Sequence, residues 1–324
     1  MKKLVSLVVP CYNEEEALPI LIAELNRVAN SIEGYEFEYI LVNDGSKDGT
    51  LSVMRSLAKT ERRVRYLSFS RNFGKEPAIL AGLRASKGDY VATMDADLQD
   101  PPELIPRMLE ILEEGRCDNV ASRRVNRKGE PVIRSFFARQ FYRVMRHMTH
   151  IEIADGARDY RMMTRQMVDA ILSLPEYNRF SKGIFAWVGF DTEWLEFENV
   201  ERSAGETKWS FWKLVHYSMD GIVNFSNAPL MFSSYFGLIL TVVAFIAIIF
   251  EVIRALIFGD PVAGWPSTIC IIVFLGGIQL FCMGIMGQYI SKTYMEVKKR
   301  PIYIVKESNL EEKFTESPQD SGIV

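Results

Sequence analysis

Gly88-Asp-Tyr-Val-Ala-Thr-Met-Asp95-Ala-Asp97-Leu-Gln99-Asp100-Pro-Pro102 is the stretch that decides the fold. Residues 90–94 form a short apolar, β-prone run, and the chain then turns acidic before two prolines. A strand ending in carboxylates, followed by a proline-started helix over residues 102–112, is half of a repeating β-α unit. Residues 4–9, 39–42 and 64–69 have the same strand character, and residues 119–121 form a shorter fifth run. Between them, Leu18, Leu21, Ile22 and Leu25 recur at helical spacing within residues 15–29, and residues 51–58 and 77–85 are further helices. This alternation predicts a doubly wound α/β domain whose ligands bind beyond the carboxyl ends of a parallel sheet.

The rest of the 324 residues has a different composition. No charged residue occurs among the 30 positions between Asp220 and Glu251, or among the 31 between Asp260 and Lys292. About 20 apolar residues suffice to cross a bilayer, so each stretch is long enough for a transmembrane helix. The connector around Asp260 carries no base, whereas Lys208 and Lys213 precede the pair and Lys292, Lys298, Lys299 and Arg300 follow it. By the positive-inside rule, both termini and the α/β domain face the cytoplasm of a two-span, multi-pass protein of the cell membrane. Residues 130–150, with Ile133, Phe136, Phe137 and Phe141 on one stripe, read as a basic amphipathic helix that either lies on the membrane surface or packs its apolar face on the domain core, and residues 209–225 read as an interfacial helix. An acidic, polar end from Glu307 onward has little to bury and is expected to be disordered.

Composition also excludes several classes. With 38 basic and 41 acidic side chains there is no charge excess of the kind that binds nucleic acid. The four cysteines, Cys11, Cys117, Cys270 and Cys282, stand far apart and suggest neither zinc nor disulfides. No G-x-G-x-x-G follows the first strand and no P-loop is present. Residues two apart in extended chain point the same way, so Asp95, Asp97 and Gln99 are expected to aim three oxygens at one point. Oxygen ligands without histidine or cysteine suit Mg²⁺ or Mn²⁺ bridging a diphosphate.

Four motifs fall at expected strand ends: Val9-Pro-Cys-Tyr-Asn-Glu14, Asn43-Asp-Gly-Ser-Lys-Asp-Gly-Thr50, Ser70-Arg-Asn-Phe-Gly-Lys75 and Asp95-Ala-Asp-Leu-Gln-Asp-Pro-Pro-Glu103. In order and spacing they resemble glycosyltransferase family 2 with the Rossmann-like GT-A fold, in the subgroup that glycosylates polyprenyl phosphates. The resemblance implies a catalytic domain over residues 1–208, a juxtamembrane amphipathic helix over 209–228, a transmembrane hairpin over 229–290, and a basic flank with a disordered tail over 291–324. It also implies that Pro10, Tyr12, Glu14, Val42 and Asp44 form the nucleotide pocket, with Lys75 beside it, and that Asp95, Ala96, Asp97 and Gln99 form the metal and diphosphate site. Arg123 and Arg134 are then near the phosphates of donor or acceptor. Asp159 and Arg161 match a family segment in which Arg158 replaces a common glycine, and Arg202 and Lys208 belong to a loop closing over the diphosphate.

The implied reaction transfers one hexose or N-acetylhexosamine from a UDP-sugar to undecaprenyl phosphate, with inversion. Negative charge grows on the leaving diphosphate, where a divalent metal, Arg202 and Lys208 would stabilise it. A phosphate monoester has its second pKa at about 6, so the acceptor is largely dianionic and requires little general-base help. Asp97 and Asp159 are the catalytic candidates; Asp159 either positions a substrate or accepts a residual proton. A homo-oligomer and a membrane flippase partner are both compatible with such an enzyme. The rivals are a processive polysaccharide synthase, for which a Q-x-x-R-W segment and additional spans are absent, and an inactive scaffold, which would not need Asp95 and Asp97.

Overall fold

The computed structural model describes residues 2–124, 157–197, 223–258 and 264–310. Among them, β1 (Lys3–Cys11), β2 (Tyr35–Asn43), β3 (Val64–Phe69), β4 (Tyr90–Thr93), β5 (Asn119–Arg124), β6 (Ala157–Thr164), β7 (Thr192–Phe197) and β8 (Val305–Ser308) build one sheet. Its spatial order is β7-β5-β6-β4-β1-β2-β3-β8. The central strands β3, β2, β1 and β4 are parallel, while β6 and β8 run antiparallel to their neighbours. Helices α1 (Ala17–Asn30), α2 (Thr50–Thr60) and α4 (Ile105–Glu113) cover one face, and α3 (Lys75–Ala85), α5 (Arg165–Leu172) and α6 (Ser181–Trp187) the other.

Covering both faces explains why β1 reads as a continuous apolar run. Val5, Leu7, Val8 and Val9 are all fully buried, alternating between the two clusters. The expected helical stripe Leu18, Leu21, Ile22 and Leu25 packs into the first cluster. Each fully buried aliphatic side chain of this kind contributes about 1.5–3 kcal/mol.

Three sequence expectations are corrected. The sheet is mixed, because β6 inserts antiparallel between β4 and β5. Residues 95–99 are not extended: β4 ends at Thr93, and Leu98 takes a positive φ of 59° in a turn. Glu307 does not begin a disordered tail. Tyr303 stacks on Phe69 at 5.0 Å, and β8 then pairs with β3. There the Glu307 carboxylate accepts from Arg55 and from the Tyr66 hydroxyl. Asn309 and Leu310 follow the strand, and residues 311–324 lie outside the described residues.

Helices α7 (Ala228–Phe258) and α8 (Trp265–Val297) are each long and apolar enough to cross a membrane. Their apolar side chains face outward: Leu238 is 61% exposed, Phe245 64% and Leu280 71%. The C-terminal part of α8 is tied to the α/β domain, since the Glu296 carboxylate accepts from the backbone N–H of Tyr177 and Asn178. The Tyr289 hydroxyl also donates to the Ser226 carbonyl. The expected amphipathic helix over residues 130–150, and all but the end of that over 209–225, lie outside the described residues.

Candidate active site

The carboxyl ends of β1, β2, β3 and β4 meet along one edge of the sheet. In the ladder Cys11 stands opposite Asn43, and the Asp44 N–H continues the pairing to the Cys11 carbonyl at 2.9 Å. The first two motifs interlock beyond this point. The Asn13 N–H donates to the Ser46 hydroxyl, the Lys47 N–H to the Asn13 side chain, and the Glu14 N–H to the Thr50 hydroxyl. Gly45 has φ +63°, and a Cβ there would lie 2.3 Å from the Arg71 carbonyl carbon, so a side chain at 45 would displace the third motif.

Asp44 joins the second motif to the third. Its buried carboxylate accepts from the N–H groups of Phe73 (2.6 Å) and Gly74 (2.9 Å). Burial pushes its pKa up while those two backbone donors oppose the shift. Tyr12 is 40% exposed at the same edge.

A second cluster lies on the β4 and β6 side. The Lys75 ammonium is 2.6 Å from Asp95 Oδ1 and 2.6 Å from Asp159 Oδ2. Burial works against the charge on Lys75, but the two carboxylates outweigh it and hold the ammonium well above the usual lysine range. Burial likewise disfavours the Asp159 carboxylate, yet Lys75, Lys182 and Arg161 together keep its pKa well below the usual range. Asp159 is fixed from behind, because the Thr93 hydroxyl donates to its carbonyl at 2.6 Å.

The loop carrying Asp95 and Asp97 is clamped by a pair that sequence analysis did not assign. The Asp100 side chain, 1% exposed, accepts from the Asp95 N–H at 3.1 Å and from Arg158 Nε at 3.2 Å. Arg158 Nη2 also donates to Gln99 Oε1 at 3.2 Å. Burial raises the Asp100 pKa to about 6 against the pull of Arg158. The signal for this clamp was Arg158 itself, a long cation where the resembled segment has a glycine.

The other expected site residues are spread over several environments. Lys75 starts its helix beside Asp44, but its ammonium belongs to the acidic cluster. Gln99 Oε1 accepts from Arg158 and its N–H donates to Asp97 Oδ1, in a turn beyond the strand's end. Val42 and Ala96 are buried in the core, Val42 completely. Arg161 is 4% exposed with its guanidinium 4.0 Å from the Phe185 ring centroid, beneath Asp159 and not at an open surface. Burial brings its pKa down to about 10. Arg123 pairs with Glu196, while Pro10 and Glu14 are half-buried at the edge. Arg134, Arg202 and Lys208 lie outside the described residues.

Hard oxygens are the donor set this loop offers a metal. Among the described residues no group of three acidic, histidine or cysteine side chains converges, so Asp95 and Asp97 would hold an ion only together with substrate phosphate oxygens and water. That is the coordination Mg²⁺ and Mn²⁺ favour, so these residues fit such an ion.

Known proteins resemble this chain over most of its length. The model of "Glycosyl transferase family 2" matches residues 6–172. A "Prophage bactoprenol glucosyl transferase homolog" of Escherichia coli (strain K12) is 43% identical over 302 residues, covering 93% of this chain and 98% of that protein. A "Bactoprenol glucosyl transferase" of Shigella phage SfII is 42% identical over 305 residues, 94% and 98% of the two chains. The structure of glucosyl-3-phosphoglycerate synthase from Mycobacterium tuberculosis in complex with Mn²⁺, UDP and glucosyl-3-phosphoglycerate matches with a TM-score of 0.47 and 21% identity, over 68% of this chain and 78% of that one. That likeness is too distant to carry a residue's role across. With the family model spanning more than half of the chain, and relatives alike over nearly its whole length, the protein belongs to glycosyl transferase family 2 and is a glycosyltransferase with a GT-A-like α/β fold.

Proposed function

We propose that the protein transfers a single hexose or N-acetylhexosamine from a UDP-sugar to a polyprenyl phosphate, undecaprenyl phosphate in a bacterial membrane, on the cytoplasmic face. The observation that carries this is the Asp95–Lys75–Asp159 cluster at the strand ends, in a chain that also holds two helices long and apolar enough to cross a membrane. Relatives named for glucosyl transfer to bactoprenol support the acceptor class. Helices α7 and α8 then serve as the anchor that keeps the domain where an isoprenoid's head group lies.

In this mechanism the nucleotide end of the donor lies along the edge formed by Tyr12, Glu14 and Asp44, and its diphosphate meets the 95–99 loop. Asp95 and Asp97 would hold Mg²⁺ or Mn²⁺, which, when bound, neutralises charge growing on the leaving diphosphate. Arg202 and Lys208 add cations to the same diphosphate. Asp159 remains ionised because Lys75, Lys182 and Arg161 surround it. Such a weakly basic carboxylate is a poor proton acceptor, so its role is to orient sugar or acceptor. The acceptor's own dianionic oxygen attacks C1 of the sugar as the bond from C1 to the diphosphate breaks, which inverts the anomeric centre.

The test is purified full-length protein in detergent with undecaprenyl phosphate, Mg²⁺ or Mn²⁺, and a panel of radiolabelled nucleotide sugars. One UDP-sugar should label the lipid, and chelation of the metal should stop it. A panel in which no donor labels the lipid overturns the proposal.

A further inference from the structure

Outside the acidic cluster, the described residues enclose a cavity of about 390 Å³ where the α/β domain meets the C-terminal part of α8. Three cationic side chains line it from three different elements: Arg71 after β3, Arg179 before α6, and Lys292 on α8. The Arg71 guanidinium lies 4.0 Å from the Phe73 ring centroid, and Arg179 is fixed by a bond to the Leu174 carbonyl at 2.8 Å. One acidic side chain, Glu76, also borders the space. Its carboxylate is turned into the protein, where it accepts from the N–H (2.7 Å) and hydroxyl of Ser181. Glu296 is occupied by the N–H groups of the lining residues Tyr177 and Asn178, and Glu176 lies near Arg179, so the groups offered to an anion inside the space are its three bordering cations, whose arginine forks match phosphate geometry.

Two placements give the anion a source. Lys292 is the first charged residue after the uncharged stretch of α8, so the cavity lies where that helix's apolar surface stops. Ile285, half-buried two turns before Lys292, lies on the same face of α8 and carries that surface toward it. Phe73, Phe180 and Ile302 supply apolar wall inside it. Amphipathic walls with cations at the head-group level suit a molecule with a phosphate at one end and a hydrocarbon chain at the other. On its inner side the cavity is close to the reacting centre: Glu76 follows Lys75, which touches Asp159, and Ser181 precedes Lys182, whose charge Asp159 feels.

We propose that this cavity receives the phosphate head group of a membrane lipid and delivers it beside Asp159. That the lipid is the polyprenyl phosphate acceptor rests on the function proposed above; the cavity's preference for a lipid phosphate does not. Arg71 and Lys292 are the contacts a head group would meet on entry, and Arg179 forms the fixed wall.

Native mass spectrometry of the full-length protein released from detergent micelles tests this, titrating undecaprenyl phosphate, phosphatidylglycerol and inorganic phosphate in separate arms. Wild-type protein should bind lipid phosphate, and Arg71→Gln and Lys292→Gln should each weaken it by about tenfold or more, the usual loss for one charge-assisted contact. Arg71→Lys should recover part of that loss, and UDP affinity should stay within about twofold in Lys292→Gln, as expected of a position away from the nucleotide edge. Inorganic phosphate, which has no chain, should bind far more weakly than either lipid. Displacement of undecaprenyl phosphate by phosphatidylglycerol would show a site for any lipid phosphate, and failure to displace would show one selective for the polyprenyl chain; both support the proposal. Lys292→Gln lies on α8, so it remains informative if Arg71→Gln does not fold. Unchanged lipid binding in the variants, or inorganic phosphate bound as tightly as lipid, overturns the proposal. Absence of sugar transfer with lipid binding intact would count against the assigned reaction and not against the cavity.

Discussion

The acidic edge of the α/β domain and the pair α7 and α8 manage charge in opposite ways. At the edge, ionised groups are matched, some of them out of water: buried Asp100 with Arg158, and half-buried Asp159 with exposed Lys75 and buried Arg161. Along most of α7 and α8, within the stretches of 30 and 31 uncharged positions, charge is excluded while large apolar side chains face outward. The first arrangement suits a site that must hold phosphates, and the second suits a segment whose surroundings are hydrocarbon. The difference teaches that the near-neutral average of the whole chain describes neither region.

The comparison can be broken most severely at the acidic edge. Asp97→Ala should lower sugar transfer by about 10³-fold or more, read as radiolabel on the lipid, because metal stabilisation of the leaving group is worth several kcal/mol. Its thermal unfolding should stay near wild type, since Asp97 is half-exposed. Arg158→Ala should cost about 3–5 kcal/mol in denaturant unfolding, because it leaves the Asp100 charge buried without its partner. Replacing both members by apolar residues, Arg158→Met with Asp100→Leu, should restore most of that stability while leaving diphosphate affinity low. If the double variant binds UDP like wild type, the pair does not position the 95–99 loop.

The same substitution made in both regions sharpens the contrast further. Leu7→Ala, at a fully buried position, should cost about 2–5 kcal/mol by calorimetry or denaturant titration. Leu238→Ala, 61% exposed on α7, should change that unfolding by no more than about 0.5 kcal/mol. Phe245→Lys should instead disfavour membrane insertion by about 2.5–3.5 kcal/mol, measured as the fraction extracted from membranes by carbonate. The smallest effect is expected at β8. Its Glu307 pKa is pulled down to about 2 by Arg55 and Tyr66, so the bond is fully present above the ordinary carboxylate pKa of about 4.3. It is lost as pH falls toward 2, and amide exchange in β8 should rise modestly over that window relative to the intrinsic rate.

The parallel half of the sheet was legible because β1 to β4 are covered on both faces, so each carries a short, mostly apolar, β-prone run such as residues 7–9, 39–42 and 66–67. β6 was not, for a physical reason. Its sequence Ala157-Arg-Asp-Tyr-Arg-Met-Met-Thr164 buries Arg161 opposite the Tyr160 and Met162 face, with Asp159 partly buried beside it, so no apolar alternation marks it as a strand. β8 was missed because four residues with a lysine and a glutamate give no pattern, and its anchor, Tyr303 on Phe69, is a long-range contact. The site was legible at the level of motifs, since strand-end acids and the lysine after a glycine do converge. Its inner wiring was hidden, because the turn at Leu98 brings Gln99 to Arg158, a contact 59 positions away in sequence. The cavity beside α8 joins residues over 200 positions apart, from Arg71 to Lys292, which no local pattern predicts.

The most direct measurement is the mass of the lipid product, taken in one reconstitution of full-length wild type and Asp97→Ala with undecaprenyl phosphate, Mn²⁺ and the UDP-sugar that labels best. The account predicts undecaprenyl phosphate carrying one sugar residue in the wild-type sample and unmodified lipid in the variant. A ladder of lengthening sugars, or equal product from both proteins, would contradict it.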